Sequence, residues 1–208
     1  MTSMPMDAVS ATDALSPTDA LSPTDPLSPT DLPTIRAAVI TVSDRSAAGE
    51  RVDASGPVAV AALRSAGFTC DSPIVVPDGA ESVEAALRAA IAAGALLIVT
   101  SGGTGIGPRD RTQEGTAKVI TRLVPGIAEE LRRIGTAQRA SGMLSRGLAG
   151  VVDLDGVRGD GASGGGASGS GALIVNLPGS PGGVADGMPV VVSIARHVLD
   201  QLGGGDHS

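Results

Sequence analysis

The apolar positions of this chain fall into short continuous runs separated by stretches of helical spacing. Ile35-Arg36-Ala37-Ala38-Val39-Ile40-Thr41-Val42 reads as a strand, and Ser43 to Gly49 as a polar turn. Ser55-Gly56-Pro57 then opens a helix, with Ser55 able to cap it and Pro57 tolerated in its first turn. That helix runs through Val60 and Leu63 to Ala66-Gly67, where glycine can end it. Ser72–Val76 is a second strand, and Pro73 near its start suits an edge or near-edge position. Glu81–Ala93 is an Ala-rich helix with Val83, Leu87 and Ile91 four apart. Ala95–Val99 is apolar on both faces, as a central parallel strand requires.

This β-α-β-α-β order predicts right-handed crossovers and a doubly wound, mostly parallel sheet. Further on, Glu114–Leu123 and Ile127–Ile134 read as helices broken at Pro125-Gly126. Ala149–Leu154 and Ala172–Leu177 read as a strand pair, and a last helix covers about Gly183–Leu202. Between the paired strands, residues 155–171 are dominated by Gly, Ser and Ala and suit a flexible hairpin tip.

Residues 1–34 differ in character. Thr12-Asp13-Ala14-Leu15-Ser16-Pro17 recurs twice with one change, and each copy carries one large apolar residue, too little for a core. The segment predicts a disordered acidic tail, with a docking peptide as the other reading. A single globular domain then spans residues 35–203.

Charge narrows the partners. The chain carries a formal net charge of −7, and the five aspartates before Ile35 account for five of those charges. The basic footprint of a nucleic-acid binder is missing. Phe68 is the only aromatic residue, so a flat ring has no platform to stack on. One cysteine, Cys70, and two histidines exclude an intramolecular disulfide and a conventional zinc site. Cys70 reads as a small packed residue, and His197 as packed or solvent-facing. No apolar run reaches the roughly 18 residues of a membrane span, and no secretory pattern opens the chain. The expectation is a cytoplasmic protein without a membrane partner.

The candidate chemistry lies at strand ends. Thr100-Ser101-Gly102-Gly103-Thr104-Gly105 follows the third strand, and Arg109-Asp110 comes shortly after, before a helical segment. In open α/β sheets ligands sit at the carboxyl ends of strands, and glycine loops bring backbone N–H groups close to an anion. The loop lacks the Gly-Lys-Ser/Thr of a Walker loop and the spacing of a dinucleotide fingerprint. Taken alone it is also compatible with a tight packing turn. Its company argues for function: Ser43-Asp44, Pro77-Asp78-Gly79 and Asn176-Leu177-Pro178-Gly179-Ser180-Pro181 also follow strands. Each has a plainer alternative. Asp44 suits a salt bridge with Arg45, Asp78 an ordinary turn, and Asp110 a partnership with Arg109 or a helix cap. Arg146 could hold a phosphate or lie in solvent.

The ordered set of these motifs resembles the molybdopterin adenylyltransferases of molybdenum cofactor biosynthesis, of the MoaB/Mog type. The resemblance rests on Thr41–Asp44, Asp53–Pro57, Val76–Asp78, Thr100–Gly105, Arg109–Glu114, Met143–Arg146 and Asn176–Pro181, and spans about residues 36–202. Gln113 stands where the family usually has proline, and Gly115 where it usually has alanine. The resemblance implies a three-layer α/β/α sandwich and transfer of AMP from Mg-ATP to the terminal phosphate of molybdopterin, with release of pyrophosphate. It implies Asp110 and Asp78 as the catalytic, Mg²⁺-positioning aspartates. It implies substrate contacts from Ser43, Ser101, Gly102, Gly103, Thr104, Gly105, Arg109, Ser145, Asn176, Pro178, Gly179 and Ser180. It further implies a homotrimer and a possible molybdotransferase partner. The alternative of a different class is a non-catalytic protein of the same fold that holds a pterin or a partner. A metal-inserting molybdotransferase is a third reading, with little room in 208 residues for further domains.

Overall fold

The computed structural model describes residues 35–154 and 171–204. The acidic repeat and nearly all of the glycine-rich insert lie outside the described residues, as does the C-terminal tetrapeptide.

One sheet organises the domain. Its strands are β1 (Arg36–Val42), β2 (Thr69–Cys70), β3 (Ile74–Val76), β4 (Leu97–Ser101), β5 (Arg122–Leu123), β6 (Ala149–Asp153) and β7 (Gly171–Leu177). The order is β2-β1-β4-β7-β6-β5, and β3 pairs with β1 beyond β2. β1 runs parallel to β2, β3 and β4, and β4 parallel to β7, whereas β6 is antiparallel to both its neighbours. The expected mostly parallel sheet is therefore found. Every residue of β4 and β7 is buried, as two central strands covered on both faces require. Their registers bring Thr100 opposite Asn176 and Ser101 opposite Leu177, so both strands deliver their polar ends to one rim.

The helices are α1 (Asp44–Ala47), α2 (Gly56–Ser65), α3 (Ala80–Ala92), α4 (Thr112–Ala117), α5 (Pro125–Gln138) and α6 (Pro181–Leu202). α2, α6 and α5 pack side by side over one face of the sheet, and α3 and α4 pack together over the other. Each turns an apolar stripe inward: Val83, Ala86, Leu87 and Ala90 on α3, and Val184, Met188, Val191, Ala195 and Leu199 on α6. The result is the three-layer α/β/α sandwich.

Several local expectations change. The polar turn after β1 contains a short helix, α1, capped by Ser43, whose Oγ accepts from the Ser46 N–H at 3.2 Å. Ser55 does not cap α2 with its side chain. Asp53 does so from further upstream, its Oδ1 accepting from the N–H groups of Ser55 and Gly56, each at 3.0 Å. The third strand extends past Val99 to include Thr100 and Ser101. The helix expected over Glu114–Leu123 stops at Ala117, and Arg122-Leu123 joins the sheet as β5 through Gly150 and Val151. Gly171, assigned to the insert, is the first residue of β7. Cys70 is buried in β2.

Candidate functional site

Two abutting loops form the centre of the site. The first leaves β4 through Gly102 and Gly103, which have φ of 108° and 61°. Both angles are ones that side chains rarely adopt. A Cβ on Gly102 would overlap the Val42 carbonyl, and one on Gly103 would overlap the Thr112 hydroxyl. The second loop, Pro178–Ser180, leaves β7 and leads into α6. A Cβ on Gly179 would lie 3.1 Å from Gly102 Cα, so the two loops approach backbone to backbone. Ser101 ties them together, its hydroxyl donating to the Pro178 carbonyl at 3.1 Å.

The first loop is held from its carbonyl side. Thr112 at the start of α4 donates its hydroxyl to the Gly102 carbonyl at 2.8 Å and its N–H to the Gly103 carbonyl at 3.1 Å. The Gly102 N–H donates to the Leu177 carbonyl at 3.1 Å and is not available to a ligand. The amides of Gly103, Thr104 and Gly105 donate to no acceptor among the described residues. The anion cradle expected from Gly102 onward therefore begins one residue later. Successive unpaired N–H groups of this kind form a concavity that suits an anion.

Those amides straddle two cavities. A recess of about 220 Å³ is lined by Ser43, Asp78, Ser101, Gly102, Gly103, Asp110 and Gly179, with Arg51, Val52 and Asp53 on its outer wall. A larger cavity of about 630 Å³ is lined by Thr104, Gly105, Arg139, Ser145, Pro178, Ser180 and Asp186. It adjoins a more apolar cleft lined by Leu131, Ile134, Ser145 and Asp186. Apart from Arg109 and Asn176, the site residues expected from sequence are thus brought to one rim but divided between two chambers.

The small recess holds the aspartates. Asp110 Oδ2 accepts from the Gly107 N–H at 2.8 Å. Asp78 Oδ2 accepts from the Asp44 N–H at 2.7 Å, while its Oδ1 is turned toward Gly103, 3.2 Å from where a Cβ would stand. Burial pushes the Asp78 carboxyl above the ordinary aspartate range, and the negative charges of Asp44 and Asp110 add to the shift against the hydrogen bond from Asp44.

Arg109 departs from the expected role. It lines neither chamber, and its guanidinium grips Asp44 with two hydrogen bonds, at 3.0 and 2.9 Å, and reaches the Asp78 carbonyl at 2.7 Å. Asp44 is thereby partnered by Arg109, not by Arg45, and the hydrogen bond from Arg109 holds its carboxyl below the usual range. Asp110 is not the partner of Arg109.

Asn176 lines the apolar cleft and is also part of the framework. It is 3 % exposed, and its amide group donates to Thr100 and Thr116 hydroxyls at 2.9 and 3.0 Å and accepts from the Leu148 N–H at 3.0 Å. It braces the end of β7 beneath the site.

Arg146 straps the first loop. Its Nε donates to the Gly105 carbonyl at 2.8 Å, one terminal nitrogen to the Asp110 carbonyl at 2.6 Å, and the other to Glu114 at 2.8 Å. Neither the phosphate contact nor the solvated side chain considered from sequence describes it. Sequence reasoning gives no role to Asp53 or Asp186. Asp53 stands within a matching motif; Asp186 carries no local signal and reaches the cavity wall only through the fold.

The strand-end loops of this mostly parallel sheet divide two adjoining chambers, which defines an α/β/α protein with its candidate site at the carboxyl ends of the strands. The matching family model identifies it further: residues 38–197 match the model described as "Probable molybdopterin binding domain", and the chain belongs to that family of molybdenum cofactor biosynthesis.

The chain is 36% identical over 170 residues to the molybdopterin adenylyltransferase of Pyrococcus furiosus, covering 80% of this chain and 90% of that one. It is 38% identical over 176 residues to the molybdenum cofactor biosynthesis bifunctional protein of Synechococcus elongatus, covering 85% of this chain. It spans only 50% of the length of that relative. Among solved structures, the Mog protein of Mycobacterium ulcerans shares 39% identity with a TM-score of 0.69, covering 81% of this chain and 99% of its own.

Proposed function

We propose that this chain transfers the adenylyl group of ATP to the terminal phosphate of molybdopterin and releases pyrophosphate. The observation that carries the reading is the row of unpaired amides at Gly103, Thr104 and Gly105, the first on a residue that lines the small recess and the other two on residues that line the large cavity. A phosphate in each chamber would then lie beside the same loop. The names of the Pyrococcus and other relatives point the same way.

The reaction needs little covalent help from the protein. An oxygen of the molybdopterin phosphate attacks the α-phosphorus of ATP, and the bond to the β-phosphate oxygen breaks, so pyrophosphate leaves. The demands on the chain are alignment and charge control. The large cavity lies within the roughly 300–1,000 Å³ range of small-molecule sites. The small recess is sized for phosphates more than for a whole nucleotide.

No group of three or more potential metal ligands occurs among the described residues. The site fits Mg²⁺ nonetheless, because that ion often takes one or two protein carboxylates and fills its shell with phosphate oxygens and water. Asp78 and Asp110 each anchor one carboxylate oxygen to a backbone N–H, and the other oxygens make no hydrogen bond among the described residues. These two side chains would hold the ion, which would neutralise phosphate charge.

No helix among the described residues is long and apolar enough to cross a membrane. A cytoplasmic homotrimer working with a molybdotransferase belongs to the same reading; the doubled length of the bifunctional relatives supports that partnership.

The experiment is incubation with Mg-ATP and molybdopterin. Pyrophosphate formed only when both are present supports adenylyl transfer; tight pterin binding without pyrophosphate selects the non-catalytic reading.

A further inference from the structure

Asp186 lies on the wall shared by the large cavity and its apolar annex. It stands in the second turn of α6, three and four residues beyond Gly183 and Gly182, so all three belong to one face of the helix. All three line the large cavity. The Asp186 carboxylate is exposed and makes no hydrogen bond or ion pair among the described residues. Most other acids of this rim are engaged: Asp44 by Arg109, Asp53 by Thr41 and the α2 amides, and Glu114 by Arg146.

The floor beside Asp186 is open. A Cβ on Gly182 would meet nothing within 4 Å, so a flat ring could lie against the helix backbone there. The chain has no aromatic residue to stack on such a ring, since Phe68 lies beneath Arg196 elsewhere. Ring recognition in this cavity has to come from an edge.

We propose that Asp186 is a specificity-determining residue that recognises the aminopyrimidinone edge of a pterin, which fixes the large cavity as the pterin chamber and the small recess as the ATP-phosphate side. This rests on the adenylyl-transfer reading for its choice of substrate. A 2-amino-4-oxopteridine presents a ring N–H and an exocyclic amine side by side. Two parallel donors match the two oxygens of one carboxylate, the same fit that makes Arg–carboxylate forks strong. Adenine offers one donor beside an acceptor, so a carboxylate that suits the pterin repels the adenine ring nitrogen. At the other end, Thr104, Gly105 and Ser145 line the cavity where it reaches the free amides, which places a phosphate at the loop and the ring toward α6.

The test compares pterin with lumazine, which carries a second oxo group in place of the 2-amino group. Binding of each to the full chain is followed by fluorescence. The wild type should prefer pterin by about ten- to a hundredfold, the range for a charged pair of hydrogen bonds. Asp186→Asn should abolish that preference and leave the KM for ATP within about twofold, which also reports an intact fold. Retention of the preference in Asp186→Asn overturns the proposal, as does a raised KM for ATP with unaltered pterin binding. A wild type that prefers pterin through Asp186 but releases no pyrophosphate supports this assignment and defeats adenylyl transfer alone.

Discussion

Asp44 and Asp78 hold each other through reciprocal backbone hydrogen bonds. The Asp44 N–H donates to Asp78 Oδ2 at 2.7 Å, and the Asp78 N–H donates to Asp44 Oδ1 at 3.0 Å. Each aspartate follows a different strand, β1 or β3, so the pair locks two strand ends together. Arg109 adds a third loop by gripping Asp44 from 65 residues away.

This triad should act as one unit. Replacing either Asp44 or Arg109 with alanine is expected to slow adenylyl transfer by about 10- to 100-fold, the scale of a misplaced reacting group. The double variant should lose little more than either single one, because residues in one network are not additive. Steady-state kinetics of the four proteins measures the coupling; fully multiplicative losses would separate the two residues.

The raised Asp78 carboxyl predicts a conflict between stability and activity. Its folded pKa lies above the ordinary value of 3.8, so the protonated form is favoured by folding. That stability is fully present below about pH 3.8 and is lost as pH rises through the folded pKa. Asp78→Asn keeps an acceptor for the Asp44 N–H and removes the charge. It should raise Tm at pH 7, by about 2–4 °C per kcal/mol for a domain of this size. The gain should shrink as pH falls through the folded pKa, while adenylyl transfer is lost at every pH. Calorimetry at pH 7 and pH 4 checks the sign.

Arg146 is expected to matter for rate more than for binding. A lysine offers no planar fork and cannot serve the Gly105 and Asp110 carbonyls and Glu114 together. Arg146→Lys should lower kcat roughly tenfold or more while the fold persists. Hydrogen exchange at the bonded amides of Gly107 and Asp110 should quicken in the variant.

Asn176→Ala tests the framework beneath the loops. It leaves the Leu148 N–H and the hydroxyls of Thr100 and Thr116 short of a buried partner. A loss of about 3 kcal/mol follows from such orphaned groups. Urea unfolding measures it, and a change under 1 kcal/mol would return Asn176 to a direct ligand role.

The strands around the site were legible because β1, β4 and β7 are apolar runs that end in polar or glycine-rich turns. Asp78 was legible as the acid of the turn just past β3, and Asp110 as the acid between the glycine loop after β4 and the start of α4. β2 and β5 were not, since two residues carry no period and pair only because β1 and β6 pass beside them. The grip of Arg109 on Asp44 and the strap of Arg146 across Asp110 cross 65 and 36 residues, and no local pattern predicts them. A helix reading of Glu114–Leu123 followed local composition, and the edge of β6 overrode it.

The central claim is that the free amides of Gly103–Gly105 and the carboxylate of Asp110 bring two phosphates together for adenylyl transfer. Its most direct test is molybdopterin-dependent pyrophosphate release from Mg-ATP by the wild type and Asp110→Ala. The wild type should release pyrophosphate in step with adenylylated product. Asp110→Ala should keep its fold and slow release by roughly ten- to ten-thousand-fold, spanning what a positioned electrostatic group contributes. Release at the wild-type rate from Asp110→Ala, or none from the wild type while it binds the pterin, would contradict the account.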